Sequence, residues 1–265
     1  MKCYLINLDR SPQRLEHMTT AFGAIGIDFV RVPATDGSLL SAREVKEITG
    51  PKSDEMPWTH QEVGVAISQR RCWQMIAEGD DEYGAVFEDD VFFSDDAAKY
   101  LFNYDWIRAD IDVLKLETVG TKVSVSFLGT AAGSRRVHRL YSNHWGAGAY
   151  VLSRRLARKL VSRSEIFTDQ PDVVLFRQPG DISAFQLIPA ICIQDLVLNG
   201  HLPDTKLSST LEDERVPLRK KNPRKPRGWK KLRRELTRPF EQLTSFATDA
   251  AQPLFGKRTL RVPYR

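Results

Sequence analysis

Apolar and polar positions follow a strand, helix, strand pattern over the first 33 residues. Residues 2–8 form a short apolar run rich in strand formers. Ser11 and Pro12 then predict a helix start, because serine caps helix N-termini and proline fits the first helical turn. Apolar residues recur every three or four positions up to Gly26, which favours a helix end, and residues 28–33 predict a second strand.

The same patterns predict further elements along the chain. The predicted helices are 59–77 and 153–162, and the predicted strands are 85–87, 111–116, 137–140 and 149–152. Strands that alternate with helices through short connections are typical of α/β domains. We therefore expect an α/β fold with a mostly parallel, Rossmann-type sheet flanked by helices.

Charge divides the chain into two unequal parts. Residues 219–238 contain eleven Lys or Arg and one Glu, a net +10 in a chain whose total is +5, so the remainder is acidic. We predict a globular domain over residues 1–215 and a basic C-terminal tail over residues 216–265. Apolar residues between Trp229 and Phe246 recur at helical spacing, which predicts a basic amphipathic helix within this tail.

Such a helix is suited to an anionic membrane surface, and residues 219–246 are the predicted contact. A solvated tail and a nucleic-acid-binding tail are the alternatives. No recognised nucleic-acid module accompanies the charge, so no nucleic acid is expected.

The location is predicted from what the sequence lacks. The first residues have neither the length nor the cleavage site of a signal peptide, and no apolar run approaches the roughly 20 residues needed to span a membrane. Cys3, Cys72 and Cys192 show no metal-type spacing and favour a reducing compartment. We expect a cytoplasmic protein, peripheral on the inner face of the cytoplasmic membrane.

Three consecutive acids follow an apolar strand in the sequence AVFEDDVFF, residues 85–93. Ligands of α/β sheets bind at the carboxyl ends of strands, where this triplet lies. Residues two apart on an extended chain face the same side, so Glu88 and Asp90 are expected to converge while Asp89 points elsewhere. Two carboxylates suit Mg²⁺ or Mn²⁺, and the alternative is a solvated acidic turn.

Spaced motifs over residues 3–215 add a family resemblance. They are YLINLDRSPQRL (4–15), ATDG (34–37), HQEVGVAISQRRCW (60–73), FEDDV (87–91), KLE (115–117), GAGAYVLSRRLARKL (146–160) and PAICIQD (189–195). In this order they resemble glycosyltransferase family 25, the lipooligosaccharide and procollagen-type galactosyl- and glucosyltransferases. The resemblance implies a GT-A fold, a UDP-sugar donor and an acidic triplet that acts as a DxD-type motif.

The resemblance also implies roles for particular residues. Asp90 would be the principal ligand of Mn²⁺ or Mg²⁺, and Glu88 would reach the metal or the donor's ribose. The residues implied in donor binding are Asn7, Asp9, Arg14, Asp36, Gly37 and Glu88. For several of them a turn cap or a surface position is the alternative.

The family is inverting, so the acceptor hydroxyl needs a general base. Asp172 and Asp195 are the candidates, and Asp172 is preferred because the apolar VVLF run after it would fix its position. Helix capping is the alternative for both.

One position departs from the family pattern. The family usually has Ser-His where this chain has Ser68 and Gln69, and Gln69 offers only a neutral amide. The sequence therefore predicts a metal-dependent inverting transferase that moves galactose or glucose from a UDP-sugar to a lipopolysaccharide, lipooligosaccharide or other lipid-linked glycan. An inactive sugar-nucleotide or glycan-binding protein of the same fold is the alternative.

Overall fold

A computed structural model describes residues 1–177, 181–199 and 256–265. The helices are α1 (Pro12–Ile25), α2 (Ala42–Ile48), α3 (His60–Glu78), α4 (Ala98–Leu101), α5 (Arg154–Arg163), α6 (Pro171–Phe176) and α7 (Asp195–Asn199), with a 3-10 turn at Gly37–Leu39. The strands are β1 (Lys2–Asn7), β2 (Val30–Pro33), β3 (Tyr83–Glu88), β4 (Val91–Phe93), β5 (Val113–Lys115), β6 (Glu117–Thr118), β7 (Lys122–Ser126), β8 (Thr130–Ala132), β9 (Arg135–Arg139), β10 (Ala149–Ser153), β11 (Ala184–Ile188), β12 (Cys192–Gln194) and β13 (Lys257–Arg261).

The main sheet is mixed, so the expectation of a mostly parallel sheet is wrong. In the described part of the chain its order is β2-β1-β3-β10-β5-β11-β9-β8. Three neighbouring pairs are parallel, β1 with β2, β1 with β3, and β5 with β11. The other four are antiparallel, because β10 runs against both of its neighbours and β9 runs against both of its own. The α/β class itself is confirmed.

Helices cover both faces of this sheet, which gives two apolar cores. On β3, Val86 faces one core while Ala85 and Phe87 face the other, as the period of two in a strand requires. α3 and α5 pack on the Val86 side, where Trp73 is buried. α1 packs on the opposite side through Phe22.

Local sequence explains where the long helices begin and end. Pro12 opens α1, and Gly26 closes it in a left-handed conformation with φ 66°. Thr59 caps α3 in a capping box with Glu62, in which each side chain binds the other residue's backbone N–H. The helices expected at 59–77 and 153–162 are therefore present within a residue or so of their predicted bounds.

A small second sheet adjoins the main one at the acidic triplet. Its order in the described residues is β4-β12-β6. The chain leaves β3 at Glu88, turns through the triplet and enters β4, which pairs with β12. This sheet consequently brings the end of β12 next to the end of β3.

The last ten residues of the chain return to the globular body. β13 pairs antiparallel with β7 over five positions, and Val262 is 3% exposed. Residues 256–265 are therefore a structural part of the body, although the sequence assigned them to the tail. The remainder of the predicted tail, including residues 219–246, lies outside the described residues.

The described helices also bear on membrane crossing. Each of them is too short or too polar to traverse a bilayer.

Candidate active site

A cleft opens at the carboxyl ends of β1, β2 and β3. These strands are parallel, so their ends meet at one edge of the sheet, where ligands of α/β proteins bind. The cleft encloses about 800 Å³ of empty space, part of it open to solvent. Its lining residues include Asn7, Arg10, Arg14, Asp36, Gly37, Gln61, Ser68, Gln69, Glu88, Asp89, Asp90 and Gln194.

Glu88 and Asp90 converge in this cleft, although the chain turns at Asp89 and Asp90 rather than continuing as an extended strand. Gln194 Nε2 donates to Glu88 Oε2 at 3.0 Å and to Asp90 Oδ1 at 3.2 Å. Gln194 is the last residue of β12, and the backbone N–H of Asp195 binds the Asp90 carbonyl at 2.8 Å. One neutral amide thus bridges two carboxylates.

Asp89 lines the same cleft, so the expectation that it points elsewhere is wrong, although its partners differ from those of Glu88 and Asp90. It accepts from Asn7 Nδ2 at 2.7 Å and from Arg14 Nη1 at 2.6 Å. Arg14 also reaches Asp90 at 3.4 Å, so this one guanidinium contacts two members of the triplet. Asn7 and Arg14 therefore lie beside the acids, where the sequence expected them.

The acids are hard to ionise in this setting. Burial, followed by repulsion from Asp90, raises the pKa of Glu88 to about 8. Burial raises the pKa of Asp90 to about 6, although the Arg14 charge acts in the opposite direction. Added positive charge in the cleft would favour the ionised form of both.

Of three further residues that were predicted to bind the donor, Asp36 and Gly37 line the cleft and Asp9 does not. Asp36 lines the cleft and pairs with Arg10 at 3.0 Å. Gly37 also lines it, and a Cβ there would lie 2.1 Å from the His60 carbonyl oxygen, so only glycine permits the approach to α3. Asp9 is not among the residues that line the cleft. Its side chain is 79% exposed and pairs with Arg31.

Gln69 holds Glu88 from the helix side. Its Nε2 donates to Glu88 Oε1 at 3.4 Å and to the Ala147 carbonyl at 3.2 Å. Its Oε1 accepts from Tyr150 at 2.6 Å, and Tyr150 accepts from Trp73 at 2.7 Å. The amide at this position is thus a fully bonded link in the cleft wall.

Lys115 and Glu117 form a buried ion pair behind the cleft. Neither residue was assigned a role from the sequence. Lys115 Nζ and Glu117 Oε1 are 2.8 Å apart, and both side chains are 0% exposed. Lys115 also donates to the Gly146 carbonyl, and Glu117 accepts from the Gly148 N–H at 2.8 Å. The second oxygen of Glu117, Oε2, has no hydrogen-bond partner among the described residues.

The two predicted general bases differ in their surroundings, and neither side chain lines the cleft. Asp172, in α6, is half-buried and accepts from the Gly146 N–H at 3.1 Å. Asp195 is 3% exposed and accepts from Asn199 at 2.7 Å within α7. Asp195 therefore stabilises α7, the helix that follows Gln194, while Asp172 contacts the loop beside the cleft.

Gln194 and Glu117 were missed as site residues because they lie far from the triplet in sequence. Both fall within motifs that carried the family resemblance, KLE and PAICIQD, and that was the available signal.

A metal ion bound here would need further ligands, such as substrate phosphate oxygens, to complete its coordination. Across residues 1–177, 181–199 and 256–265, no cluster of three or more His, Cys, Asp or Glu side chains has metal-holding geometry. Glu88 and Asp90 nevertheless suit a hard divalent cation, since two buried carboxylates share a single amide donor. Mg²⁺ commonly binds through one or two carboxylates plus substrate phosphates.

The cleft at the strand ends of this sheet defines the class of this protein as an α/β protein with a ligand site at the usual position. The model of Glycosyltransferase family 25 (LPS biosynthesis protein) matches residues 1–175, and the chain belongs to that family. It is accordingly a glycosyltransferase, and the resemblance drawn from the motifs is confirmed.

Individual relatives agree with this assignment. Lacto-N-neotetraose biosynthesis glycosyltransferase LgtB of Neisseria gonorrhoeae is 29% identical over 229 residues, 81% of this chain and 82% of that protein. Lipooligosaccharide biosynthesis protein lex-1 of Haemophilus influenzae is 31% identical over 199 residues, 70% of this chain and 64% of that protein. Among solved structures, galactosyltransferase LgtC with donor and acceptor sugar analogs matches 87% of this chain and 99% of its own, at 11% identity and a TM-score of 0.39.

Proposed function

We propose that this protein is a metal-dependent, inverting, GT-A-like hexosyltransferase that transfers galactose or glucose from a UDP-sugar to a lipopolysaccharide or lipooligosaccharide acceptor. The observation that carries the proposal is the convergence of Glu88 and Asp90 on Gln194 in a cleft at the strand ends. The family description and the names of the relatives support the acceptor class.

Side chains of the cleft suit a nucleotide diphosphate donor. Arg14 and Arg10 supply positive charge beside the triplet, and Asn7 and Asp36 supply polar groups at the ends of the neighbouring strands. Glu88 and Asp90 would hold Mn²⁺ or Mg²⁺, which when bound neutralises charge on the leaving diphosphate.

For the general base, the surroundings favour Asp172 over Asp195. An acceptor hydroxyl must come within hydrogen-bond reach of the base. Asp172 keeps exposed surface next to the Gly146 loop, whereas Asp195 is buried and bonded within its own helix.

The test measures UDP release from a panel of UDP-sugars with Mn²⁺, with and without chelator. Asp90→Asn should lower turnover of the preferred donor by about 100-fold, because the isosteric amide cannot neutralise a cation. Asp95→Asn is the matched control, an exposed acid in the segment after β4, and it should retain wild-type turnover.

Equal activity of Asp90→Asn and wild type, or activity unaffected by chelator, would contradict metal dependence. Binding of a UDP-sugar without any transfer to any acceptor would favour the alternative of an inactive binding protein.

We further propose that residues 219–246 bind the protein to an anionic membrane surface on the cytoplasmic side. Eleven basic residues over positions 219–238 and the interleaved Trp and Phe support this contact.

A further inference from the structure

The segment 144–148 is fixed at nearly every residue by buried polar contacts. His144 Nδ1 lies 2.8 Å from Gln186 Oε1, and the Gly146 N–H donates to Asp172 at 3.1 Å. The Ala147 carbonyl accepts from Gln69, and the Gly148 N–H donates to Glu117. The backbone of this segment is therefore held from several directions.

Trp145 is the exception in this segment. Its side chain is exposed at 54%, whereas His144 is 1% and Ala147 is 7% exposed. An exposed apolar residue by itself is ordinary on a protein surface. Here, however, the residues on both sides are anchored, so the backbone that carries the indole is fixed and little entropy is lost when the indole binds a ligand.

The position of Trp145 is next to the catalytic cleft. A Cβ on the following residue, Gly146, would lie 3.7 Å from Gln194 Oε1, and Gln194 lines the cleft. The same glycine donates its N–H to Asp172, the favoured general base. Gly146, at the edge of the cleft, is therefore preceded in the chain by Trp145 and bonded through its N–H to the Asp172 carboxylate.

We propose that Trp145 is the binding platform for the acceptor saccharide. A pyranose presents an apolar face of C–H groups and a rim of hydroxyls, so it suits a flat apolar indole with a carboxylate acceptor nearby. The residues proposed to bind the donor lie in the cleft at the ends of β1, β2 and β3, whose lining does not include Trp145. This inference rests on the proposed transferase function and adds the class of ligand and the residue that recognises it.

The test compares Trp145→Ala, Trp145→Phe and Phe102→Ala in the full chain. Phe102 is the matched control, an aromatic residue that is 76% exposed and belongs to another part of the surface. With the preferred UDP-sugar and methyl glycosides ending in glucose, galactose or N-acetylglucosamine, Trp145→Ala should raise the KM for the glycoside about tenfold. Trp145→Phe should raise it less because a ring remains, and Phe102→Ala should not change it.

The affinity for the UDP-sugar distinguishes a failure of this inference from a failure of the proposed function on which it rests. Calorimetric titration of the UDP-sugar without glycoside should give a Kd within twofold of wild type for Trp145→Ala, with an unchanged melting temperature. A glycoside KM within twofold of wild type would overturn the inference, and so would a donor Kd that rises as much as the glycoside KM.

Intrinsic tryptophan fluorescence tests the inference even if the wild-type protein has no transferase activity. Methyl glycosides should shift the intrinsic tryptophan fluorescence of wild type, and Trp145→Phe should abolish that shift. If wild type neither turns over nor binds a UDP-sugar, the proposed function fails, while a fluorescence shift lost in Trp145→Phe still supports the saccharide platform. Absence of any shift in wild type would overturn the platform.

Discussion

At the residue scale, neutral amides organise the charged groups of the cleft. Gln194 bridges Glu88 and Asp90, and Gln69 contacts Glu88 from the other side. The sequence predicted that the two acids would converge, but it did so by assuming an extended chain, whereas the chain turns at Asp89 and Asp90. It could not predict the amides, because position 194 meets position 88 only through the pairing of β12 with β4.

Gly148 is the residue that leaves room for this arrangement. A Cβ there would lie 2.8 Å from Gln194 Nε2 and 2.8 Å from Glu117 Oε2. These are ends of side chains, so we expect Gly148→Ala to fold but to displace Gln194 from Glu88 and Asp90. Turnover of the UDP-sugar should fall about tenfold, with a melting temperature only a few degrees lower.

Gly23→Ala is the matched control for that substitution. It lies in α1, and a Cβ there meets nothing within 4 Å. Alanine should stabilise the helix by about 0.5–1 kcal/mol and leave turnover unchanged. Wild-type turnover in Gly148→Ala would mean that the contacts of Gln194 are not needed for transfer.

At the scale of elements, the positions of strands and helices were more predictable than their directions. The β1-α1-β2 opening, α3 and α5 follow from apolar spacing and caps that lie within each segment. The direction of β10 does not, because a strand buried on both faces has the same apolar pattern whether it runs parallel or antiparallel. The mixed character of the sheet therefore follows only from the observed pairing of β10 with β3 and β5, and not from the sequence.

The anchored segment 144–148 should make the fold sensitive to acid through His144. Burial, followed by the Lys115 charge, lowers the pKa of His144 to about 3, against about 6.5 in the unfolded chain. Between these values the unfolded state binds a proton that the folded state does not, so the contribution of His144 to stability falls as pH falls, whereas Glu88 and Asp90, whose pKa values are raised, act in the opposite direction. The expected loss from this group is about 1.5 kcal/mol between pH 6.5 and pH 5.

Thermal unfolding of wild type, His144→Gln and His60→Gln across that pH range checks the expectation. Relative to wild type, His144→Gln should gain stability as pH falls from 6.5 to 5. The control, His60→Gln, removes a half-buried histidine at the start of α3 and should follow wild type. Parallel pH profiles for all three proteins would rule out a neutral, buried His144 as the cause.

At the scale of the whole molecule, the C-terminal strand changes how the membrane proposal must be tested. Removing everything after residue 218 would also remove β13, whose pairing with β7 and whose buried Val262 belong to the body. The informative variant lacks residues 219–246 and keeps residues 256–265. It should retain the wild-type melting temperature.

This deletion should weaken binding to vesicles that contain anionic lipid by at least about 100-fold, since each basic residue near such a surface contributes about 1 kcal/mol. Vesicles of neutral lipid are the control and should bind both proteins weakly. Equal binding of wild type to neutral and anionic vesicles would refute the proposed contact. Salt-sensitive binding to nucleic acid, with vesicles ignored, would favour the other alternative for this segment.

The return of the chain at β13 has a consequence for the covalent integrity of the protein. The end of α7 at Asn199 and the start of β13 at Lys257 both belong to the body, and residues 200–255 connect them along the chain. A single proteolytic cut between residues 200 and 255 would create a complex of two polypeptides, in which the short one is retained by the pairing of β13 with β7 at five positions. Its retention would then depend on dilution, as it does for any bimolecular complex, whereas in the uncut chain it does not.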